Sequence, residues 1–283
     1  MAARGFAELE FDAGDLKIPP QPEALLVAQR EIRADDPNLL NIAKAIRNDL
    51  ALSAAVLKVV NSAQFALPTK IVSIPQAVSY LGLTPTTHII AAIEIRRTFT
   101  KVPGMSMERF WDTATDVAKH CAWLARTLAL ITPDEAYTIG LFHDCGIPII
   151  AQKHAQYPAI LDEANRAVNE RFTEVEDRHF GTNHAIVGFL VTRTWNLPLV
   201  VREAVRYHHE TEAILEPALT NRSPLASLLA ILKVATHAND AYRQRSEAEW
   251  DRIAGLVLEY LGLTEDECHE LVTEMVIQQR DFS

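Results

Sequence analysis

Phe110-Trp-Asp-Thr-Ala-Thr-Asp-Val-Ala-Lys-His-Cys-Ala-Trp-Leu-Ala-Arg-Thr-Leu128 decides the fold class. Ala114, Val117, Ala118, Cys121, Leu124, Ala125 and Leu128 recur at i, i+3, i+4 and i+7, the apolar stripe of an amphipathic helix about five turns long. Downstream, Thr132-Pro133-Asp134-Glu135 has the form of an N-cap with proline at the first helical position. The helix it opens carries Ala136, Ile139, Gly140 and Phe142 into His143-Asp144. Further helices are expected around 157–169, 183–194, 198–208, 223–241, 246–260 and 265–279. Upstream, Pro103-Gly104 is the strongest breaker in the first half.

Before that breaker the periodicity is again helical, in shorter pieces. After Ile18-Pro-Pro-Gln-Pro22, the set Leu25, Leu26, Ala28, Gln29 and Ile32 ends at Asp35-Asp36-Pro37. Leu39, Leu40, Ile42, Ala43 and Ile46 form a second set. Beyond Asp49, Leu52, Ala55, Val56, Val59 and Val60 form a third. Ser73 can cap a helix that tolerates Pro75 and stops at Gly82, and Thr84 then caps a longer one from Pro85 to about Thr100. No sustained strand alternation and no repeat of 20 to 50 residues appears. The expectation is an all-α chain, a multi-helix bundle preceded by a bundle of short helices. It divides into an N-terminal extension (1–17), an N-terminal helical part (18–103), a helical core (104–243) and C-terminal helices (244–283).

Composition agrees with helix. Ten glycines in 283 residues is about half the average usage. The 27 basic against 37 acidic residues give −10, with no basic stripe, which argues against nucleic acid held by phosphate neutralisation. Cys121, Cys145 and Cys268 are odd in number and contain no C-x-x-C pair, so a reducing compartment is expected. The acidic start has no apolar signal core, and no window of about 18 uncharged apolar residues exists. A cytoplasmic protein without a membrane span is the expectation.

His143-Asp144, His184 and His208-His209 stand at apolar-helix positions. Imidazoles and a carboxylate suit borderline divalent metals, and helical bundles build such sites in their cores. The plainer reading stands beside it. A single helix histidine is ordinarily a satisfied polar group at the core edge, and His208-His209 could ride a solvated helix end. Asn61, Ser62 and Asp49 read as caps and turn ties more readily than as ligands. Trp111, Trp123 and Trp195 read as core, Cys145 as packing, and Arg96, Arg97, Arg202 and Arg206 as solvated arginines rather than an anion site.

A longer pattern carries a resemblance. Ile18-Pro-Pro-Gln-Pro-Glu23, Asp49, Leu57-Lys-Val-Val-Asn-Ser-Ala-Gln-Phe65, Leu67-Pro68 and Ile71-Val-Ser-Ile-Pro-Gln-Ala-Val78 with Leu81-Gly82 occur in order. Phe110-Trp111, Gly140-Leu-Phe-His-Asp-Cys-Gly146, Phe180-Gly-Thr-Asn-His-Ala-Ile-Val-Gly188, Trp195-Asn-Leu-Pro198 and Tyr207-His-His209 follow. Over roughly residues 18 to 240 this resembles the HDOD domains, the HD-related output domains of the HD phosphohydrolase superfamily, whose fold is all-helical.

The resemblance implies a four-ligand His, His-Asp, Asp centre, from which this chain departs. Thr113 stands where the first histidine would fall, and Thr236 where the closing aspartate would. His120, two turns and about 10 Å along the same helix, is too far to replace the former. Ile147 stands where a lysine often follows the HD pair. His143 and Asp144 are then vestiges of a hydrolytic centre, with no catalytic residue. Asp144, His184, His208 and His209 remain, resembling the second metal position of HD-GYP phosphodiesterases, for at most one iron, manganese, zinc or nickel ion. The implied function is an output module of a bacterial two-component or second-messenger pathway acting on a signalling protein partner. The alternative is a metal-dependent phosphohydrolase or phosphodiesterase acting on a nucleotide.

Overall fold

The computed structural model describes residues 16–61, 67, 69–245 and 248–281. The extension expected at 1–17 therefore lies almost wholly outside the described residues, as do Ser62 and the expected helix start at 246. Among the described residues there are sixteen helices and no strand, with a single isolated bridge pairing Val102 with Met105. No helix among them is long and apolar enough to cross a membrane.

The first five helices are α1 (Glu23–Arg33), α2 (Leu39–Arg47), α3 (Leu50–Val60), α4 (Ile74–Leu81) and α5 (Leu83–Thr98). Local chemistry starts them. Asn38 Oδ1 accepts from Leu40 N, Asp49 Oδ1 from Leu52 N, and Ser73 Oγ from Gln76 N. The expected cap at Thr84 is corrected: Gly82, at φ +80°, both ends α4 and precedes α5, so Thr84 lies inside the first turn. Asn61 ties its turn as expected, donating to the carbonyls of Leu57 and Ile71 and accepting from Ile71 N. Asp49 also pairs with Arg97, and Arg96 with Asp112, so these arginines are spent on neighbours.

Beyond Gly104, at φ +73°, come α6 (Met107–Leu128) and α7 (Pro133–Phe142), packed side by side. Their closeness depends on Gly140, where an added Cβ would lie 2.6 Å from the Ala118 backbone. Then follow α8 (Ile147–Lys153), α9 (Tyr157–Arg166), α10 (Phe172–Phe180), α11 (His184–Thr194), α12 (Leu199–Tyr207), α13 (Thr211–Ala218), α14 (Pro224–Arg243), α15 (Ala248–Leu261) and α16 (Glu265–Asp281). Helix α14 is apolar nearly all round and central, touching α6, α7, α12, α13, α15 and α16. One continuous apolar core runs from Ala24 to Met275 through both halves.

Three helices, α8, α10 and α13, were not expected from periodicity. The turn joining α11 to α12 is held from the far end of the chain. Gln29 Nε2 donates to the carbonyls of Trp195 (2.8 Å) and Asn196 (3.1 Å), Gln21 Nε2 donates to Trp195 O (3.0 Å), and Trp195 Nε1 donates to Pro19 O (3.0 Å).

Candidate metal centre

The expected HD pair falls just beyond its helix rather than within it, because His143 is the C-cap of α7. Its Nδ1 faces the Gly140 carbonyl at 2.8 Å. His208 repeats the device at the end of α12, with Nδ1 2.8 Å from Val205 O. His184 opens α11, directly after Asn183, whose Oδ1 accepts from Ile186 N and fixes the start of the helix. The side chains of His184, His208 and His209 are 0%, 2% and 10% exposed, which removes the reading of His208-His209 as a solvated helix end.

These elements bring Asp144, His184, His208 and His209 together, with one candidate ligand atom of each within 4.8 Å of the others. Asp144 Oδ1 lies 3.4 Å from His184 Nε2 and 3.5 Å from His208 Nε2, and the two Nε2 atoms are 3.1 Å apart. Asp144 Oδ2 lies 3.2 Å from His143 Nε2. His143 thus touches the cluster through the aspartate.

The donor set fits a metal ion. Each ring has an acceptor at Nδ1: Gly140 O for His143, Val205 O for His208, Glu176 Oε2 for His184 at 2.6 Å, and Glu249 Oε1 for His209 at 3.0 Å. A neutral ring that donates from Nδ1 turns the lone pair of Nε2 inward, the arrangement outer-shell partners impose on metal-binding histidines. Two such lone pairs and a carboxylate oxygen facing one another need a shared proton or a metal ion between them. Ligand bonds of about 2.1 Å in a tetrahedron place donor atoms about 3.4 Å apart, close to the three separations seen here.

Electrostatics follow the same geometry. Burial would raise the Asp144 carboxyl, but His143 beside it, with His208 and His184, holds it well below the ordinary carboxylate value. Burial, reinforced by His209, keeps His208 well below the usual imidazole value. His184 is pushed down by burial too, yet Glu176, joined by Asp144 and Glu249, raises it on balance.

Glu176 and Glu249 escaped the sequence reading. Glu176 is 0% exposed and accepts from the His184 ring, the His184 backbone N–H (3.1 Å) and the Tyr157 hydroxyl. Glu249 accepts from Lys233 Nζ (2.8 Å) as well as from His209. Their one sequence signal was a carboxylate within a helical turn of apolar residues, Val175 beside Glu176 and Trp250 beside Glu249.

Thr113 and Thr236 line the same cavity of about 480 Å³ as His143, Asp144, His208 and His209. Both hydroxyls are turned to their own helices, Thr113 to Arg109 O (2.9 Å) and Thr236 to Lys233 O (3.0 Å). His120 is buried and is not among the residues lining that cavity. Cys145 is buried beside Gly188, and burial raises its thiol pKa, in keeping with packing.

The HDOD domain model matches residues 18–211, more than two thirds of the sequence. The chain belongs to the HDOD family. An HDOD protein of unknown function from Geobacter sulfurreducens superposes with a TM-score of 0.71 at 24% identity, covering 94% of this chain and 92% of that one. A Shewanella amazonensis structure named "Putative phosphohydrolase" gives 0.69 at 21% identity, covering 92% and 90%. A Marinobacter aquaeolei structure named "Putative signal transduction protein" gives 0.66 at 19%, covering 94% of this chain and 58% of that one. At these identities the likeness establishes the HDOD fold. An uncharacterised Treponema pallidum protein is 26% identical over 255 residues, and the chain spans 47% of its length.

Proposed function

We propose that this HDOD protein is a regulatory output module of a bacterial two-component or second-messenger pathway, acting in the cytoplasm through contact with a signalling protein. In this reading its HD centre is degenerate. The observation that carries it is the pair Thr113 and Thr236, which line the cavity beside His143-Asp144 and spend their hydroxyl protons on backbone carbonyls. A hydrolytic centre holding two ligands in place of four leaves the position of its ion and water unspecified, and a misplacement of about 1 Å can cost on the order of 100-fold in rate. The name carried by the Marinobacter neighbour supports the same reading. Three free, buried cysteines suit a reducing compartment.

Asp144, His184, His208 and His209 would hold one iron, manganese, zinc or nickel ion in a structural or sensory role. When bound, such an ion supplies Lewis acidity. The complete set of outer partners and the adjoining cavity favour a second reading, a metal-dependent phosphohydrolase or phosphodiesterase acting on a nucleotide.

Metal content of protein purified without chelator, measured with turnover of cyclic dinucleotides and phosphomonoesters in added manganese, iron or nickel, separates the two. At most one ion per chain and no enzyme-like turnover is the expected result. Turnover of about 1 per second or faster, abolished by Asp144→Ala, would establish the enzyme instead.

A further inference from the structure

Lys233, Thr236 and Glu249 lie beyond residue 211, where the family match ends, yet all three line the cavity. Glu249 stands in the first turn of α15, and its Oε1 accepts from both His209 Nδ1 (3.0 Å) and Lys233 Nζ (2.8 Å). Lys233 is 4% exposed on the central helix α14. The Phe172 ring stacks on His209, with centroids 5.2 Å apart and planes 16° from parallel. The imidazole is therefore clamped on one face and pinned at one nitrogen.

This support differs from that of the neighbouring rings. His143 and His208 donate to carbonyls three residues back on their own helices, and His184 to a glutamate of the adjacent α10. His209 alone among the four is held by a side chain from the C-terminal helices. A ring held at Nδ1 leaves Nε2 free to face the cluster, where the His208 and His184 rings lie 4.2 and 5.0 Å away between centroids.

We propose that Glu249 is a positioning residue that fixes His209 as the fourth donor to a borderline divalent ion, with Lys233 anchoring the carboxylate from α14. The proposal rests on the metal reading above and adds to it that the C-terminal helices complete the site. It also selects a role for each of the paired histidines: His208 is set by its own helix, and His209 is set by α15.

The test uses the full chain. Glu249→Met alone would strand a buried lysine charge, so the informative variant is Lys233→Met with Glu249→Met, which removes both charges and the acceptor facing His209. Long-range nitrogen–proton NMR of the metal-free protein reads the His209 tautomer. The wild type is expected to carry its proton on Nδ1, and the double variant to lose that preference while keeping a cooperative thermal transition near the wild-type midpoint. Titration with cobalt, read by its visible absorption, is expected to weaken about 10- to 100-fold in the double variant and to give the band of His209→Ala. Glu249→Asp, which keeps the charge, should recover part of the loss. A double variant that binds cobalt as the wild type does, with the His209 tautomer unchanged, would overturn the proposal. A wild type that takes up no cobalt would overturn the ion alone, since the tautomer is read without it.

Discussion

Gly146 is pressed against the backbone of His184: a Cβ at residue 146 would lie 2.1 Å from the His184 carbonyl oxygen and 2.7 Å from Gly188 N. Gly146 has an ordinary helical φ of −75°, so the glycine is required by contact and not by conformation. The approach sets the start of α8 against the start of α11, and so the distance between Asp144 and the first histidine of the cluster.

Gly146→Ala should therefore cost stability and metal affinity together. Overpacking commonly costs about 1 to 3 kcal/mol, and here the obstacle is backbone, so the upper end applies. Urea unfolding and a cobalt titration on the same preparation check this. A variant within experimental error of the wild type in both would show that the two helices can part without moving the site.

Glu176 joins three donors in a fully buried position. Glu176→Ala leaves these buried donors unpaired, each at a cost of about 1 to 3 kcal/mol, and should destabilise by several kcal/mol in all. Tyr157→Phe removes one bond and should cost about 1 to 2 kcal/mol. Chemical denaturation of the metal-free chain gives both values. A smaller loss for Glu176→Ala than for Tyr157→Phe would contradict the assigned network.

Restoring the missing ligands should restore a second ion. Thr113→His combined with Thr236→Asp places an imidazole and a carboxylate on the cavity wall already shared with His143 and Asp144. Native mass spectrometry is expected to show one ion in the wild type and two in the double variant. One ion in both would mean that these positions do not face the HD pair closely enough to ligate.

Acid should weaken the metal-free fold. Burial lowers His88, His120, His154, His208 and His209 below the ordinary value of 6.5. Their unfolded forms take up protons first, so stability is full above that value and is lost as pH falls toward the folded values. Burial pushes His184 down, but the charge and hydrogen bond of Glu176 with the charges of Asp144 and Glu249 together raise it, so it works in the opposite sense: its contribution is present below 6.5 and lost as pH rises through its folded value. Five groups against one give a net loss, so the urea midpoint should drop between about pH 7.5 and about pH 5.5. His120→Gln should flatten the slope. A midpoint that rises on acidification would reverse the assignment.

The sequence made the long apolar stripes legible, because α6 and α14 bury one face or nearly all faces and their periodicity records it. Helix α10 left no such stripe. Glu174, Glu176, Asp177, Arg178 and His179 crowd one short element, and only the fold reveals that Glu176 points inward while its neighbours meet water. Proline at the first turn of α8 and inside α13 hid those helices in the same way. The convergence of Asp144 with His184, His208 and His209 came from the motif pattern, since residues 65 apart have no local signal of contact. Glu249 was illegible because its partners His209 and Lys233 are 40 and 16 residues away.

The grip of Gln21, Gln29 and Pro19 on the Trp195 turn has a consequence for how the chain can be divided. Helices α11 and α12 form a hairpin whose open end holds His184 and His208 and whose closed end is stitched to Pro19, Gln21 and Gln29. Cutting at Pro103 would strip that stitch, leaving the Trp195 indole N–H and two carbonyls to water and the hairpin free to scissor. Pro19, Gln21 and Gln29 thus serve as a remote hinge pin for the histidines, and a fragment that begins after them would keep every ligand and lose the leverage that holds them in register.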